Sequence, residues 1–162
     1  MMTISPEQIV KKMSGEGKKI LDFFSELSDS LWNQKLYSDG AEWTVHEVLA
    51  HIVEAEDSLY RLFSNILRGG AGVPQDFDID RYNASNVGKI SGMTRKDLLS
   101  LFQERRAQMV AFVGNLSSAD LEKTGNHPYL GTSTLGDMLR VFLLHPNLHI
   151  RDIRRAFPER LK

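Results

Sequence analysis

Apolar residues recur along this chain at intervals of three and four, and they do so in four long blocks. In the first block the stripe is Ile9, Met13, Ile20, Phe24, Leu27 and Leu31. That spacing keeps one face of an α-helix apolar. The block opens Ile4-Ser5-Pro6-Glu7-Gln8-Ile9. Ser5 suits a helix cap, Pro6 the first helical position, and Gln8 the closing position of a capping box. Ile4 and Ile9 have the spacing of a hydrophobic staple. Gly15 and Gly17 weaken the early turns.

The second block opens Trp43-Thr44-Val45-His46-Glu47-Val48. Thr44 and Glu47 are spaced as a capping box, and Trp43 and Val48 as its staple. The stripe is Val48, Ile52, Leu59, Phe63 and Ile66, and Gly69-Gly70 ends it. The third opens at Met93-Thr94 and runs to about Asn115, with Leu98, Phe102, Met109, Phe112 and Leu116 on one side. Ser117 to Asp120 caps a short extra turn. The fourth opens at Thr134 with Asp137 in its first turn. It carries Leu135, Met138, Leu139, Phe142, Ile150 and Ile153, and Pro158 stops it.

Between the second and third blocks lies a long connection, Gly69 to Gly92. Connections of that length in compact domains are uncommon and often functional. No strand pattern is convincing; Tyr129-Leu130-Gly131-Thr132 is at most a short extended piece. There are no internal repeats, linkers or low-complexity stretches. Four amphipathic helices bury their stripes most simply against one another, so the expected fold is all-α: one domain over 1–162, an antiparallel four-helix bundle.

Composition narrows the chemistry. The 162 residues carry 20 basic and 21 acidic side chains, a net charge of −1. No polybasic arm is present, so no nucleic-acid partner is expected. No apolar run has membrane-spanning length, so no membrane is expected either. The opening Met1 to Glu7 lacks the basic start and apolar stretch of a signal peptide, which makes the cytoplasm the expected location. There is no cysteine. That excludes disulfides, a thiol nucleophile of the protein's own, and any Cys-ligated metal.

The chemistry then rests on five histidines. His145 and His149 are four apart, one turn apart on one helix face. At about 100° per residue that face adjoins the apolar one. Imidazoles turned toward a core need a polar partner or a metal, and the spacing suits two ligands of one divalent ion. His51, at the border of the second stripe, is the best third ligand. His46 points away from the stripe and is expected in solvent. His127 lies in a connection that no helix fixes. His46 and His51 resemble a zinc-peptidase pair with one residue too many, which separates their rings by about 140°. A di-iron centre needs two Glu-x-x-His pairs, and none is present. Pro146 lies between the paired histidines. It either breaks the helix and disturbs the pair, or kinks it and re-aims the rings. Glu54, three after His51, and Asp152, three after His149, are candidate general bases, or else solvated acids or orienters of the histidines. Arg151, Arg154 and Arg155 are expected to complement a helix C-terminus, with contact to an anionic substrate as the alternative.

Trp43-Thr44 leading into a helix, Val48-Leu49-Ala50-His51 upon it, the Asp78 to Asn83 segment, and His145-x3-His149 stand in an order that resembles the DinB/YfiT-like superfamily of metalloenzymes. The resemblance covers nearly the whole chain. It implies a four-helix bundle with an unusual crossover, and a homodimer. It also implies a divalent metal (nickel, zinc, iron or manganese) on His51, His145 and His149. Some members use that metal to activate a low-molecular-weight thiol, as in mycothiol-dependent maleylpyruvate isomerase and bacillithiol transferases. With no cysteine in the chain, such a thiol comes from outside. Two functions follow as expectations. One is a metal-dependent transferase or hydrolase acting on a small molecule. The other is a non-catalytic metal- or ligand-binding bundle, such as a stress protein.

Overall fold

The computed structural model describes residues 5–161; Ile4 of the expected staple lies outside them. The elements run α1 (Pro6–Glu26), α2 (Asp29–Trp32), β1 (Lys35–Ser38), β2 (Ala41–Thr44), α3 (Val45–Leu67), α4 (Ile79–Ile90), α5 (Arg95–Gly114), a 3₁₀ turn (Asp120–Glu122), β3 (Thr124–His127), β4 (Gly131–Thr134) and α6 (Leu135–Ala156). The four long helices are α1, α3, α5 and α6. Each starts where its cap predicts. Ser5, Thr44, Thr94 and Thr134 each accept the backbone N–H three residues on. At Ser5 and Thr44 the box is complete.

Packing sets the order around the bundle. Helix α1 lies against α5 and α6, and α3 lies against α5 and α6. The first two long helices in sequence are therefore diagonal rather than adjacent, unlike a simple up-and-down bundle. All six residues of the first stripe are buried, although Leu31 sits on α2 because the chain turns at Leu27 and Ser28. The core has two parts. One gathers Phe24, Leu49, Ile52 and Phe102; the other gathers Met13, Phe63, Met109 and Phe142.

Between them lies a buried ion pair. Arg106 on α5 donates through Nε to Glu56 on α3 at 2.9 Å and through Nη1 to the Met13 carbonyl on α1 at 3.1 Å. Its guanidinium also lies 5.1 Å from the ring of Phe142 on α6. Gly17 makes room for it: a Cβ there would meet Arg106 Cγ at 3.2 Å.

The structure corrects the sequence reading in two places and decides an open alternative in a third. The connection from Gly69 to Gly92 is not an extended loop, because α4 occupies half of it and buries Asn86 and Val87. Asp78 caps that helix by accepting the Arg81 N–H at 3.0 Å. Second, two small antiparallel sheets are present, β1–β2 and β3–β4. The first closes through Asp39-Gly40, both at positive φ (49° and 79°), the geometry of the two-residue hairpin turn that favours Asp-Gly. Third, α6 runs through Pro146 without ending.

Hairpin β3–β4 also pins the segment that precedes α4. Asn126 Nδ2 donates to the Val73 carbonyl at 2.7 Å, and Val73 N donates to the Asn126 carbonyl at 2.9 Å. Gly72, at φ 86°, lies so close to Asn126 that a side chain has no room.

Candidate metal centre

His51 comes from the second turn of α3, and His145 and His149 from the middle of α6. Their Nε2 atoms converge. His145 Nε2 is 3.0 Å from His51 Nε2 and 3.0 Å from His149 Nε2. The three rings stand edge to face, with centroids 4.7 to 4.9 Å apart. A tetrahedral ion with metal–nitrogen bonds of about 2.0–2.1 Å holds its ligand nitrogens roughly 3.3 Å apart. The donor set fits a divalent metal of the imidazole-binding kind. The face of His51 packs flat on Trp43, with centroids 5.9 Å apart at 15°.

Burial holds all three rings neutral. It lowers the pKa of His51, pushes His149 down to about 3, and takes His145 well below the usual histidine range, where the neighbouring His51 and His149 depress it further. Neutral imidazole is the form a metal needs.

Residues from β1 complete the site. The Ser38 hydroxyl lies 2.8 Å from His149 Nδ1 and donates to Asp152 Oδ2 at 2.9 Å. A hydroxyl has one proton. Spent on Asp152, it leaves Ser38 as the acceptor of an N–H from His149 Nδ1. The neutral ring then carries its lone pair on Nε2, aimed at the other two histidines. Asp152 thus orients His149 through Ser38. Asp39, the next residue, stands at the exposed hairpin tip. One of its carboxylate oxygens and one nitrogen from each of the three histidines all lie within 4.8 Å of one another. Neither Ser38 nor Asp39 was among the candidates read from the sequence; the Asp39-Gly40 turn signal marks the hairpin that brings them in.

The other candidates lie elsewhere. Glu54 accepts from Arg105 of α5 at 2.8 Å, and Arg105 also holds the Val53 carbonyl. It is engaged on the α5 side of α3, away from the histidines. His46 is not the solvent-exposed residue expected: it stacks on Trp32 at 5.0 Å, and its Nε2 is buried. His127 is fixed after all, as the last residue of β3, and it is buried.

The cluster opens on a cavity of about 520 Å³ between α3, α6 and the pinned segment before α4, with His51, His145 and Asp39 on its wall.

The sequence matches the DinB superfamily over residues 14–153. The chain belongs to that superfamily. No curated protein matches it. Among solved structures, YfiT from Bacillus subtilis, described as a probable metal-dependent hydrolase with an unusual four-helix bundle topology, superposes with a TM-score of 0.77 at 20% identity, over 95% of this chain and 86% of that one. A mycothiol-dependent maleylpyruvate isomerase gives 0.75 at 14% identity, over 94% of this chain and 63% of its own longer chain. The colibactin self-resistance protein ClbS, crystallised with double-stranded DNA, gives 0.75 at 14% identity over the whole of both chains.

At these identities the likeness concerns the fold. It nonetheless corrects one expectation. A balanced charge was read as excluding a nucleic-acid partner, yet ClbS has this fold and is crystallised with DNA. Net charge describes the whole surface, whereas DNA contact needs only local donors. No helix among the described residues is long and apolar enough to cross a membrane.

Proposed function

We propose that DinB-superfamily membership here means a divalent-metal enzyme, with the metal on Nε2 of His51, His145 and His149, acting hydrolytically on a small molecule. The observation that carries this reading is the convergence of three neutral imidazoles at 3.0 Å. A cation at the point where the three Nε2 atoms meet would accept all three lone pairs at once, which a single shared N–H proton cannot do. Nickel, zinc, iron and manganese are the candidate ions, zinc and nickel being well suited to imidazole donors.

A divalent ion held by His51, His145 and His149 would supply Lewis-acid polarisation of an oxygen and would acidify a water. The chain's own residues do the rest. Ser38 accepts the Nδ1 proton of His149 and, with Asp152 behind it, fixes the ring. Trp43 covers the face of His51. Asp39 extends a carboxylate to the open side of the cluster, where an oxygen of that group is the proton acceptor. Asp39 takes the role the sequence reading gave to Glu54 or Asp152.

The cavity beside the cluster favours catalysis over the alternative of a closed metal- or ligand-holding bundle, since a storage site needs no room for a substrate. Transfer of an external low-molecular-weight thiol is the second reading. It is supported by the isomerase neighbour's dependence on mycothiol and by the lack of any cysteine in this chain.

The test is metal analysis of protein purified without a nickel column, followed by ester and amide hydrolysis assays with and without chelator. One ion per chain, and hydrolysis that chelator removes and metal restores, is the expected result. Full activity in the chelated protein would refute the proposal.

A further inference from the structure

The cavity beside the cluster is apolar over most of its wall. Leu59, Leu62, Val73, Phe77, Val141 and Phe142 supply much of it. At its mouth, Leu144 and Leu148 on α6 and Tyr129 on the β3–β4 turn are exposed, at 60%, 47% and 76%. Large apolar side chains left in water around a hollow of this size mark a ligand-binding site.

One polar group in that wall is held in a single state. His127 Nδ1 accepts two backbone N–H groups, from Tyr129 at 3.1 Å and from Leu130 at 3.2 Å. Burial pushes its pKa down to about 4, so the ring is neutral at ordinary pH. A neutral imidazole with a lone pair on Nδ1 carries its proton on Nε2. That Nε2 has no protein partner among the described residues, and it is not one of the buried polar atoms without one. His127 is itself one of the residues that line the cavity. His51 and His145 of the cluster line the same cavity.

We infer that the cavity binds a small molecule with an apolar body and a hydrogen-bond-accepting head, the head lying between the Nε2–H of His127 and the histidine cluster. The apolar wall takes the body, and His127 donates to a carbonyl or carboxylate-like oxygen. A donor fixed in place by two backbone contacts needs no reorientation when the ligand arrives. This inference rests on the metal reading of the cluster, because the ion supplies the second anchor for the head.

The experiment uses the zinc-loaded chain and two hydroxamates, octanohydroxamate and acetohydroxamate, with zinc binding itself measured first by calorimetry. Burying an extra methylene strengthens binding by about fourfold when complete, so octanohydroxamate is expected to bind at least about tenfold tighter. Val141→Trp fills the cavity and should abolish that preference while leaving zinc binding unchanged. His127→Phe keeps an aromatic ring, removes the Nε2 donor together with the Nδ1 acceptor of the turn, and should weaken both hydroxamates at least about five- to tenfold, as loss of one hydrogen bond does, again with zinc binding intact. If zinc binds and the two hydroxamates bind equally, or if His127→Phe changes neither, the inference is overturned and the metal reading stands. If no zinc binds, both fall together.

Discussion

The hairpins that feed α3 and α6 share a plan and differ in what they contribute. In both, two four-residue strands pair antiparallel. The second strand ends on a threonine that caps the helix, with an acid three residues on. In both, the first strand ends on a buried residue, Ser38 or His127. Each first strand also reaches the other unit's helix: β1 packs on α6, and β3 on α3. What differs is the side chain presented. On β1, Ser38 meets His149 and Asp152, and Asp39 follows it at the tip. On β3, Gly125 meets Ile66, so closely that a Cβ there would lie 2.5 Å from its Cγ1, and His127 turns its Nδ1 back to its own turn. One packing device thus brings Ser38 and Asp39 to the histidine cluster at one hairpin and closes the core against Ile66 at the other. The frame and the chemistry are separable, because a few side chains at matched positions decide which end reacts.

Acid should have the largest effect, and should act at both ends. His51, His145 and His149 sit at the first hairpin's end, and all three have pKa values lowered by burial; His127, at about 4, sits at the second. An unfolded histidine titrates near 6.5. Between that value and the lowered ones the unfolded chain binds more protons than the folded one, so stability is present above about pH 6.5 and is lost as pH falls toward 3 to 4. In metal-free protein the urea midpoint should therefore drop steadily over that window, and a flat profile from pH 6.5 to 4.5 would contradict the burial argument.

Removing a member of the cluster comes next. His149→Ala should lower zinc affinity by more than about 100-fold, since a direct ligand counts for more than its supporting partners. Ser38→Ala leaves the three rings but frees His149 Nδ1, and calorimetry should show an affinity loss of about 10- to 100-fold. If Ser38→Ala binds zinc like the wild type, the supposed difference between the hairpins is only packing.

At the other hairpin the effect should be on stability alone. Gly125→Ala crowds Ile66 and should cost about 1–3 kcal/mol in denaturant unfolding, with zinc affinity unchanged. The smallest effects are at the caps. Thr44→Ala and Thr134→Ala should each cost about 1 kcal/mol. Glu47→Ala should cost slightly more than Asp137→Ala, because Glu47 accepts the Thr44 N–H at 2.7 Å while Asp137 makes no such return bond to Thr134. Equal losses would mean that the return bond adds nothing.

The long helices were legible because caps and stripes are local: Thr44, Thr94 and Thr134 each mark a start within a residue. The His145 and His149 pair was legible for the same reason, and His51 followed from its place beside a stripe. The hairpins were not. Lys35 to Ser38 and Thr124 to His127 are too short to show a clear alternation, and their pairing rests on turns rather than on composition. Helix α4 was missed because it buries little of itself and so writes no stripe. Ser38 lies more than a hundred residues from His149 in sequence, so no spacing argument reaches it. Glu54 misled for a related reason: helix geometry sets it near His51, but only the packed structure shows Arg105 arriving from α5.

Arg106 carries a consequence for how the molecule opens. Its one side chain touches α1, α3 and α6 while rooted on α5. Drawing away the helix that carries Glu56 strands a buried charge, at a cost of about 3–5 kcal/mol. Partial opening through the middle of the bundle is penalised at that node, so amide protons on all four long helices near it should exchange together, at the rate of global unfolding. Fraying is left to the ends.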